Sequence, residues 1–229
     1  WPWSCLQRPT KSNKNIIRMP ESKFEILRPF GPSIIKIEIP KEMIKTLNNF
    51  VDQVIIDEKR SKELDNGKNL AGNVKQEFKI EIDLIKSSGL LNFLASATSK
   101  WIEKTENKKL TNFNLISSWI VRQFENEYNP IHSHGGHISG VGYLLLPKDY
   151  GKTFQITKRK NFNGNLSLIH GSKMFNSSSV YNIVPKVGDF YLFPNYLMHT
   201  VYPFYGDDER RSVSFNATID ENIYNVASK

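Results

Sequence analysis

Apolar and polar residues alternate between positions 24 and 39, and the alternation is interrupted at Gly31-Pro32. A period of two is typical of a strand with one buried face, so this segment predicts a strand pair or a strand with a break. In residues 41–57 the apolar positions instead recur every three to four residues, which predicts an amphipathic helix after Pro40. The same spacing in residues 90–102 predicts a second long helix.

The pattern between and after these helices is different. Residues 58–73 are polar and predict a surface loop, whereas the alternating residues 78–85 predict a strand. From residue 113 onward, short β-like runs are separated by turn signals, among them a hairpin signal at Gly188-Asp189. Many strands without intervening helices are typical of a sandwich or barrel, and helices on one flank of such a unit make the fold class α+β.

The composition is ordinary for a soluble globular protein of 229 residues, with 39% hydrophobic and 12% aromatic positions. We expect a flexible leader over residues 1–22, supporting strands and helices over 23–110 and the β core over 111–229, all in one compact domain. The chain contains no uninterrupted apolar run of the roughly 18 residues that a membrane span requires, so we expect no membrane partner. Its single cysteine, Cys5, cannot form an internal disulfide, which favours a cytoplasmic location.

The formal net charge is +8, which raises the question of an acidic partner such as nucleic acid. The lysines are scattered, however, and short clusters such as residues 158–160 lack the interleaved aromatic residues of a strand-binding surface. We interpret these clusters as solvated surface.

Three of the five histidines lie within residues 129–137. His132 and His134 are two positions apart, so on an extended strand both side chains project to the same face. His137 follows a Gly-Gly turn and can approach from another direction, while His199 is a distant member on another predicted strand. Imidazole is a favoured ligand of iron, zinc, copper and nickel, so these residues predict a metal site with open coordination positions.

An alternating strand begins eleven residues after His199, at Arg210. By parity its even-numbered residues share one face and its odd-numbered residues share the other. Arg210 beside Ser212 on an inward face would form a bidentate clamp for a carboxylate. Arg211, on the opposite face, is expected at the surface.

Together these motifs resemble the 2-oxoglutarate- and Fe(II)-dependent dioxygenases, in particular a prolyl-4-hydroxylase-like branch of oxygenases found in marine bacteria and their phages. The resemblance covers about residues 113–219. It is carried by a Trp-containing strand, an N-x-x-H-x-H turn, S-G-V-x-Y-L, G-D-x-x-x-F-P and R-x-S-x-S-F-N, which are here Trp119, residues 129–134, residues 139–144, residues 188–194 and residues 210–216.

The resemblance implies a double-stranded β-helix, or jelly roll, with helices against one sheet. It implies Fe(II) held by His132, His134 and His199, and 2-oxoglutarate as co-substrate with Arg210 and Ser212 on its distal carboxylate. Dioxygen is then the other reactant. The implied reaction hydroxylates a C–H bond and releases succinate and carbon dioxide.

One position departs from the family pattern. The usual facial triad has two histidines and a carboxylate, and here His134 stands in the carboxylate position. A neutral third ligand leaves one more positive charge at the metal, and His137 could replace His134 as the ligand. Tyr143 and Gln123 are further candidate contacts for co-substrate or substrate. Candidates for residues just outside the metal centre are His137, Asn216 and Trp119.

Other functions stay open from the sequence. Three histidines without a carboxylate also describe a zinc hydrolase or a cupin-like dioxygenase, and a closed site would describe a structural metal-binding module. Each of these leaves Arg210 and Ser212 without a shared task. We interpret His170, between Ile169 and Gly171, as a structural residue.

The substrate class is open as well. The nucleic-acid demethylases of the superfamily carry a second arginine six positions after the clamp, where this chain has Asn216, so we do not expect nucleic acid as a substrate. A protein side chain of the prolyl type or a free small molecule fits better, and the sequence does not choose between them. Residues 58–73 and 158–179 are candidate substrate lids. The expected location is the cytoplasm, or the host cytoplasm if a phage encodes the protein.

Overall fold

The computed structural model describes residues 24–27, 31–153, 155 and 157–225, so the expected leader lies outside the described residues. Five α-helices, numbered in chain order, are α1 Lys41–Ile56, α2 Glu58–Leu64, α3 Ile82–Ser87, α4 Leu90–Glu106 and α5 Glu221–Tyr224 within this part of the chain. Its eleven strands are β1 Phe24–Leu27, β2 Ile34–Glu38, β3 Gln76–Lys79, β4 Phe113–Gln123, β5 Asn129–His132, β6 Ile138–Leu145, β7 Leu166–Ile169, β8 Val180–Ile183, β9 Asp189–Pro194, β10 Met198–Val201 and β11 Arg210–Ile219. Among the described helices, none combines the length and the apolar character that crossing a bilayer requires.

The strands form two antiparallel sheets. The larger sheet has the order β1-β2-β9-β6-β11-β4-β3, and the smaller has the order β5-β10-β7-β8. From β4 to β10 the chain crosses between the two sheets several times, as in a jelly roll. The predicted double-stranded β-helix of class α+β is therefore confirmed.

The helices cover the outer face of the larger sheet. Leu47 of α1 and Phe93 of α4 lie in one apolar core with Phe190 and Phe215 of the sheet, and the Phe93 and Phe190 rings meet edge to face at 5.5 Å. Phe190 lies directly on β6 because Gly142 leaves room for it; a Cβ atom there would come within 2.3 Å of its ring. The helices thus fix one face of the sheet whose other face carries the candidate site.

A second apolar core fills the space between the two sheets, with Leu168 and Phe193 among its members. Residues of β11 alternate between the core beneath the helices and the cavity between the sheets, as the period of two requires. Val213 packs with the helices, whereas Arg210 and Ser212 line the cavity between the sheets. The strand therefore delivers its even-numbered polar residues to the inside of the jelly roll, as predicted.

Two local predictions were wrong. Residues 58–73 do not form only a loop, since they contain α2 and a 3-10 turn at Gly67–Asn69. Helix α2 has no buried residue, so it lacks the apolar period that reveals a helix; the Asp57 side chain caps it by accepting a hydrogen bond from Arg60 N. In residues 78–85 the strand ends at Lys79 and α3 follows, because Ile85 turns into the core beneath the helices.

Two further expectations are corrected by the tertiary structure. Gly188-Asp189 does not form a hairpin, because β8 and β9 on either side of it belong to different sheets. Arg211 is not a surface residue, since it is only 6% exposed. Its guanidinium forms ion pairs with Glu209 and with Asp52 of α1, at 2.6 and 2.7 Å, and these partners compensate for the burial of its charge.

Candidate active site

Three histidines converge at the open end of the smaller sheet. His132 on β5 lies directly opposite His199 on β10 in the antiparallel register, and His134 follows in the turn after β5. One ligand nitrogen from each residue lies within 4.8 Å of the others. His134 Nε2 and His199 Nε2 are 3.1 Å apart. Two nitrogens about 2.1 Å from one ion, at a right angle to each other, are about 3 Å apart, so this spacing suits a shared metal ion.

The backbone orients two of the three rings. His132 Nδ1 donates to the carbonyl oxygen of Pro130 at 2.7 Å, and His199 Nδ1 donates to that of Leu197 at 2.8 Å. A proton on Nδ1 leaves Nε2 with a free lone pair, and this is how metal-binding histidines are commonly fixed. His134 has no such hydrogen bond at Nδ1 within the described chain.

The site favours neutral imidazoles. Burial, followed by the charge of His132, lowers the pKa of His134 to about 4. Burial and then His132 likewise lower the pKa of His199 to about 3. Both side chains are therefore neutral at physiological pH, which is the protonation state that binds a cation.

Arg210 lies in the same cavity as the histidines and is only 2% exposed. Its Nη1 donates to Gln123 Oε1 at 2.9 Å and to Ser212 Oγ at 3.4 Å, whereas its buried Nε and Nη2 have no hydrogen-bond partner among the described residues. No described carboxylate forms an ion pair with it. An unpaired buried guanidinium is costly, so this arrangement indicates a binding site for an anion.

Gln123 holds Arg210 in place. It is completely buried, and its Nε2 donates to the carbonyl oxygens of Glu127 and Tyr202. These two bonds leave Oε1 directed at the guanidinium, so the structure places Gln123 beside the predicted clamp as its support.

Two tyrosine hydroxyls are buried beside Arg210. The guanidinium carbon lies 5.1 Å from the centroid of the Tyr143 ring, and burial raises the pKa of Tyr143 to about 12. Burial also raises the pKa of Tyr150, which lies in the segment after β6, and the positive charge of Arg210 partly opposes this effect. Neither hydroxyl has a hydrogen-bond partner among the described residues. Both hydroxyls are therefore unused donors near Arg210.

Sequence reasoning missed Tyr150 because it lies in a segment without strand or helix periodicity. The available signal was weak: a single aromatic residue after Lys148-Asp149, a short way beyond the strand that carries Tyr143. It also missed the apolar walls of the cavity, which are Val121, Val141, Leu166, Phe193 and Val201.

The remaining predicted residues lie around this centre. The Trp119 ring is 5.8 Å from the His134 ring, and Asn216 accepts a hydrogen bond from Ser139 at 2.8 Å, farther along β11. His137 lies outside the three-histidine cluster, with Nδ1 accepting a hydrogen bond from Ile219 N. His170 is also outside the cluster.

A jelly roll that contains a histidine cluster able to hold a metal ion, and a buried arginine without an ion-pair partner among the described residues, is typical of the metal-dependent oxygenases that use an oxo-acid co-substrate. Residues 117–216 match the family model described as "Putative 2OG-Fe(II) oxygenase". The matched segment contains the three histidines and Arg210. The resemblance to the 2OG-Fe(II) oxygenases is thereby confirmed over residues 117–216: this segment matches a family of oxidoreductases that use Fe(II) and 2-oxoglutarate.

Solved structures support the same fold. A viral collagen prolyl hydroxylase from Paramecium bursaria Chlorella virus-1 aligns with a TM-score of 0.52 and 13% identity, over 80% of this chain and 94% of its own. A prolyl hydroxylase from Trichoplax adhaerens aligns with a TM-score of 0.51 and 14% identity, over 90% of this chain and 87% of its own. A prolyl-4-hydroxylase from Pseudomonas putida aligns with a TM-score of 0.50 and 13% identity, over 86% of this chain and 93% of its own. No curated protein sequence matches the chain significantly.

Proposed function

We propose that His132, His134 and His199 bind Fe(II), that Arg210 with Ser212 binds the distal carboxylate of 2-oxoglutarate, and that the enzyme hydroxylates a C–H bond. The substrate is a protein side chain of the prolyl type or a small molecule. One observation carries this proposal: three imidazoles and a buried guanidinium that is unpaired among the described residues line the same cavity.

The side chains present fit both groups. Iron accepts imidazole nitrogen, and the three Nε2 atoms leave other coordination positions open. The distal carboxylate of 2-oxoglutarate can accept hydrogen bonds from Arg210 Nε and Nη2 and from the Tyr143 and Tyr150 hydroxyls, all of which lack partners among the described residues. Bound iron and 2-oxoglutarate supply oxygen activation, coupled to conversion of the co-substrate to succinate and carbon dioxide.

The protein contributes orientation and exclusion of water. The carbonyl groups of Pro130 and Leu197 hold two rings through their Nδ1 protons, and Gln123 holds the clamp. The cavity walls are valine, leucine and phenylalanine side chains, which strengthen the pairing of Arg210 with a carboxylate by removing competing water.

A prolyl-type substrate is supported by three of the structural neighbours, which are prolyl hydroxylases; the Trichoplax protein was solved with a peptide of hypoxia inducible factor. The apolar part of the cavity, lined by Val121, Val141 and Leu166 among others, suits a short aliphatic side chain or a small molecule of similar size. A zinc hydrolase is the second candidate, but it would leave Arg210 and two buried tyrosine hydroxyls without a function.

The test is an anaerobic titration of the metal-free protein with Fe(II) and 2-oxoglutarate, followed through the visible absorption band that a 2-oxo acid gives when it chelates Fe(II). We expect the band in the wild-type protein and its loss in His199→Ala. Succinate release is then measured with proline-containing peptides and with small molecules. Absence of the band together with tight zinc binding would contradict the proposal and favour the hydrolase.

A further inference from the structure

Asn195, in the turn between β9 and β10, holds the backbone of His134 from both sides. Its carbonyl oxygen accepts a hydrogen bond from His134 N at 3.1 Å, and its Nδ2 donates to the His134 carbonyl oxygen at 3.1 Å. Its own backbone N donates to the carbonyl oxygen of His137 at 3.1 Å. A half-buried side chain thus bridges two turns that are 61 residues apart.

The remaining acceptor of Asn195 is occupied by helix α5. The Tyr224 hydroxyl donates to Asn195 Oδ1 at 3.2 Å. The Tyr224 ring stacks on the His137 ring, with centroids 3.9 Å apart and planes 10° apart. His137 is itself fixed, because its Nδ1 accepts from Ile219 N at 3.0 Å. Tyr224 is therefore anchored on one side and supports Asn195 on the other.

His134 needs such support more than the other two histidines do. The rings of His132 and His199 are oriented by Nδ1 hydrogen bonds to carbonyl oxygens two residues earlier, and both residues belong to paired strands. His134 lies beyond the end of β5, and in the described chain its Nδ1 has no such bond. The position of its ring depends on where its backbone is held and on the nearby Trp119 ring.

We propose that Asn195 and Tyr224 are positioning residues that fix the backbone of His134, so that helix α5 contributes to the geometry of the metal centre. This inference rests on the proposed function, in which His134 is a metal ligand. Neither residue touches the metal or the substrate. Asn195 acts through His134, and Tyr224 acts through Asn195.

The test uses Co(II) as an oxygen-stable probe of the metal site in the full chain. We expect Asn195→Ala to raise the Kd for Co(II) by about tenfold, the lower end for the loss of a supporting partner around a metal ligand, and Tyr224→Phe to raise it by a smaller factor. The double variant should bind Co(II) no more weakly than Asn195→Ala, because the Tyr224 hydroxyl acts only through Asn195. The absorption spectrum of bound Co(II) in Asn195→Ala should shift toward that of His134→Ala.

Two matched controls separate positioning from general destabilisation. Tyr196→Phe removes a hydroxyl from the residue next to Asn195, and Asn225→Ala removes an amide of the same type that bonds Glu221 at 2.7 Å. Both should keep the wild-type affinity and spectrum. If Asn195→Ala does not fold, Tyr224→Phe carries the test, since it removes one hydroxyl and keeps the stacked ring.

The outcomes separate the two proposals. Wild-type Co(II) affinity and spectrum in both Asn195→Ala and Tyr224→Phe would overturn the positioning role while leaving the metal site intact. Unchanged Co(II) binding in His199→Ala would instead show that the histidine cluster is not the metal site, and the proposed function would fail first.

Discussion

Replacing Arg210 with Met should have opposite effects on fold stability and on co-substrate binding. Met has a similar length and no charge. In the co-substrate-free protein Arg210 is a buried cation whose Nε and Nη2 have no partner among the described residues. Arg210→Met should therefore remove the unfavourable free energy of an unpaired buried charge from the free enzyme, and should also remove the proposed binding group for the anion.

The magnitudes follow from these contacts. Two hydrogen bonds from a charged donor to a carboxylate contribute about 1.5–3 kcal/mol each, so their loss should weaken 2-oxoglutarate binding by about two to four orders of magnitude. Replacing buried charges by apolar side chains often stabilises a fold by about 1–4 kcal/mol. The bonds to Gln123 and Ser212 and the stack on Tyr143 offset part of this gain. We expect a net gain of about 1–3 kcal/mol, or roughly 2–12 °C in Tm.

Arg211→Met is the matched control. Arg211 is also buried, but it forms ion pairs with Glu209 and Asp52, and Arg122 also binds Glu209. Its loss leaves Glu209 with one cation instead of two, so this variant should be destabilised and should bind 2-oxoglutarate normally. The assays are thermal unfolding without ligand and anaerobic titration of the Fe(II)-loaded protein with 2-oxoglutarate.

The predicted loss of 2-oxoglutarate binding and the predicted gain in Tm can be refuted separately. Wild-type affinity for 2-oxoglutarate in Arg210→Met would exclude Arg210 as the clamp. A lower Tm than wild type, similar to that of Arg211→Met, would show that Arg210 is compensated in the free protein and that its unpaired atoms do not indicate a ligand.

Three further changes test other parts of the structure. His134→Asp should tighten Fe(II) binding without co-substrate by about tenfold or more, since a carboxylate offsets part of the metal charge; equal affinity in an anaerobic titration would contradict this. Burial, followed by the charge of Asp65, raises the pKa of Glu77 from 4.5 to about 7. The folded protein therefore holds this proton more tightly than the unfolded chain does. As the pH rises from 4.5 to 7, the free energy of unfolding of the wild type should fall by up to about 3 kcal/mol. Glu77→Gln should therefore stabilise the fold against urea at pH 8 but not at pH 4.5, whereas the exposed Glu81→Gln should change little at either pH. Tyr150→Phe should raise the Kd for 2-oxoglutarate about tenfold, and Tyr202→Phe should not.

Much of the site could be predicted because strand geometry leaves little freedom. On β11 the period of two places Arg210 and Ser212 on one face, and that face lines the cavity because Val213 and Phe215 on the other face pack against the helices. The same period also predicted that the His132 and His134 side chains lie close together, and they do, but for a different physical reason. His134 is not on the strand, and the turn held by Asn195 brings its ring within 4.9 Å of the His132 ring.

The features that could not be predicted depend on contacts between distant segments. Arg211 is buried because Asp52 of α1 and Glu209 meet it, and no local pattern shows that a charged residue will find two partners. Helix α2 has Leu64, at its end, as its one apolar residue, so its cap at Asp57 and its surface ion pairs were the main signals. Tyr150 became a candidate only because the fold brings its buried hydroxyl near enough to Arg210 for the charge to affect its pKa.

The histidine at position 134 also changes how the two cofactors depend on each other. No acidic residue lines the cavity in the described part of the chain, so a divalent ion there meets only neutral imidazoles and the cation of Arg210. The dianion of 2-oxoglutarate then leaves the centre with a single positive charge, where a carboxylate ligand would have left it neutral. Because the ion and the dianion attract each other inside an apolar cavity, each should bind more tightly in the presence of the other, and by linkage the two gains are equal. At the proposed metal site, a histidine at position 134 instead of a carboxylate should therefore weaken metal binding in the absence of 2-oxoglutarate and make metal occupancy depend on the supply of the co-substrate.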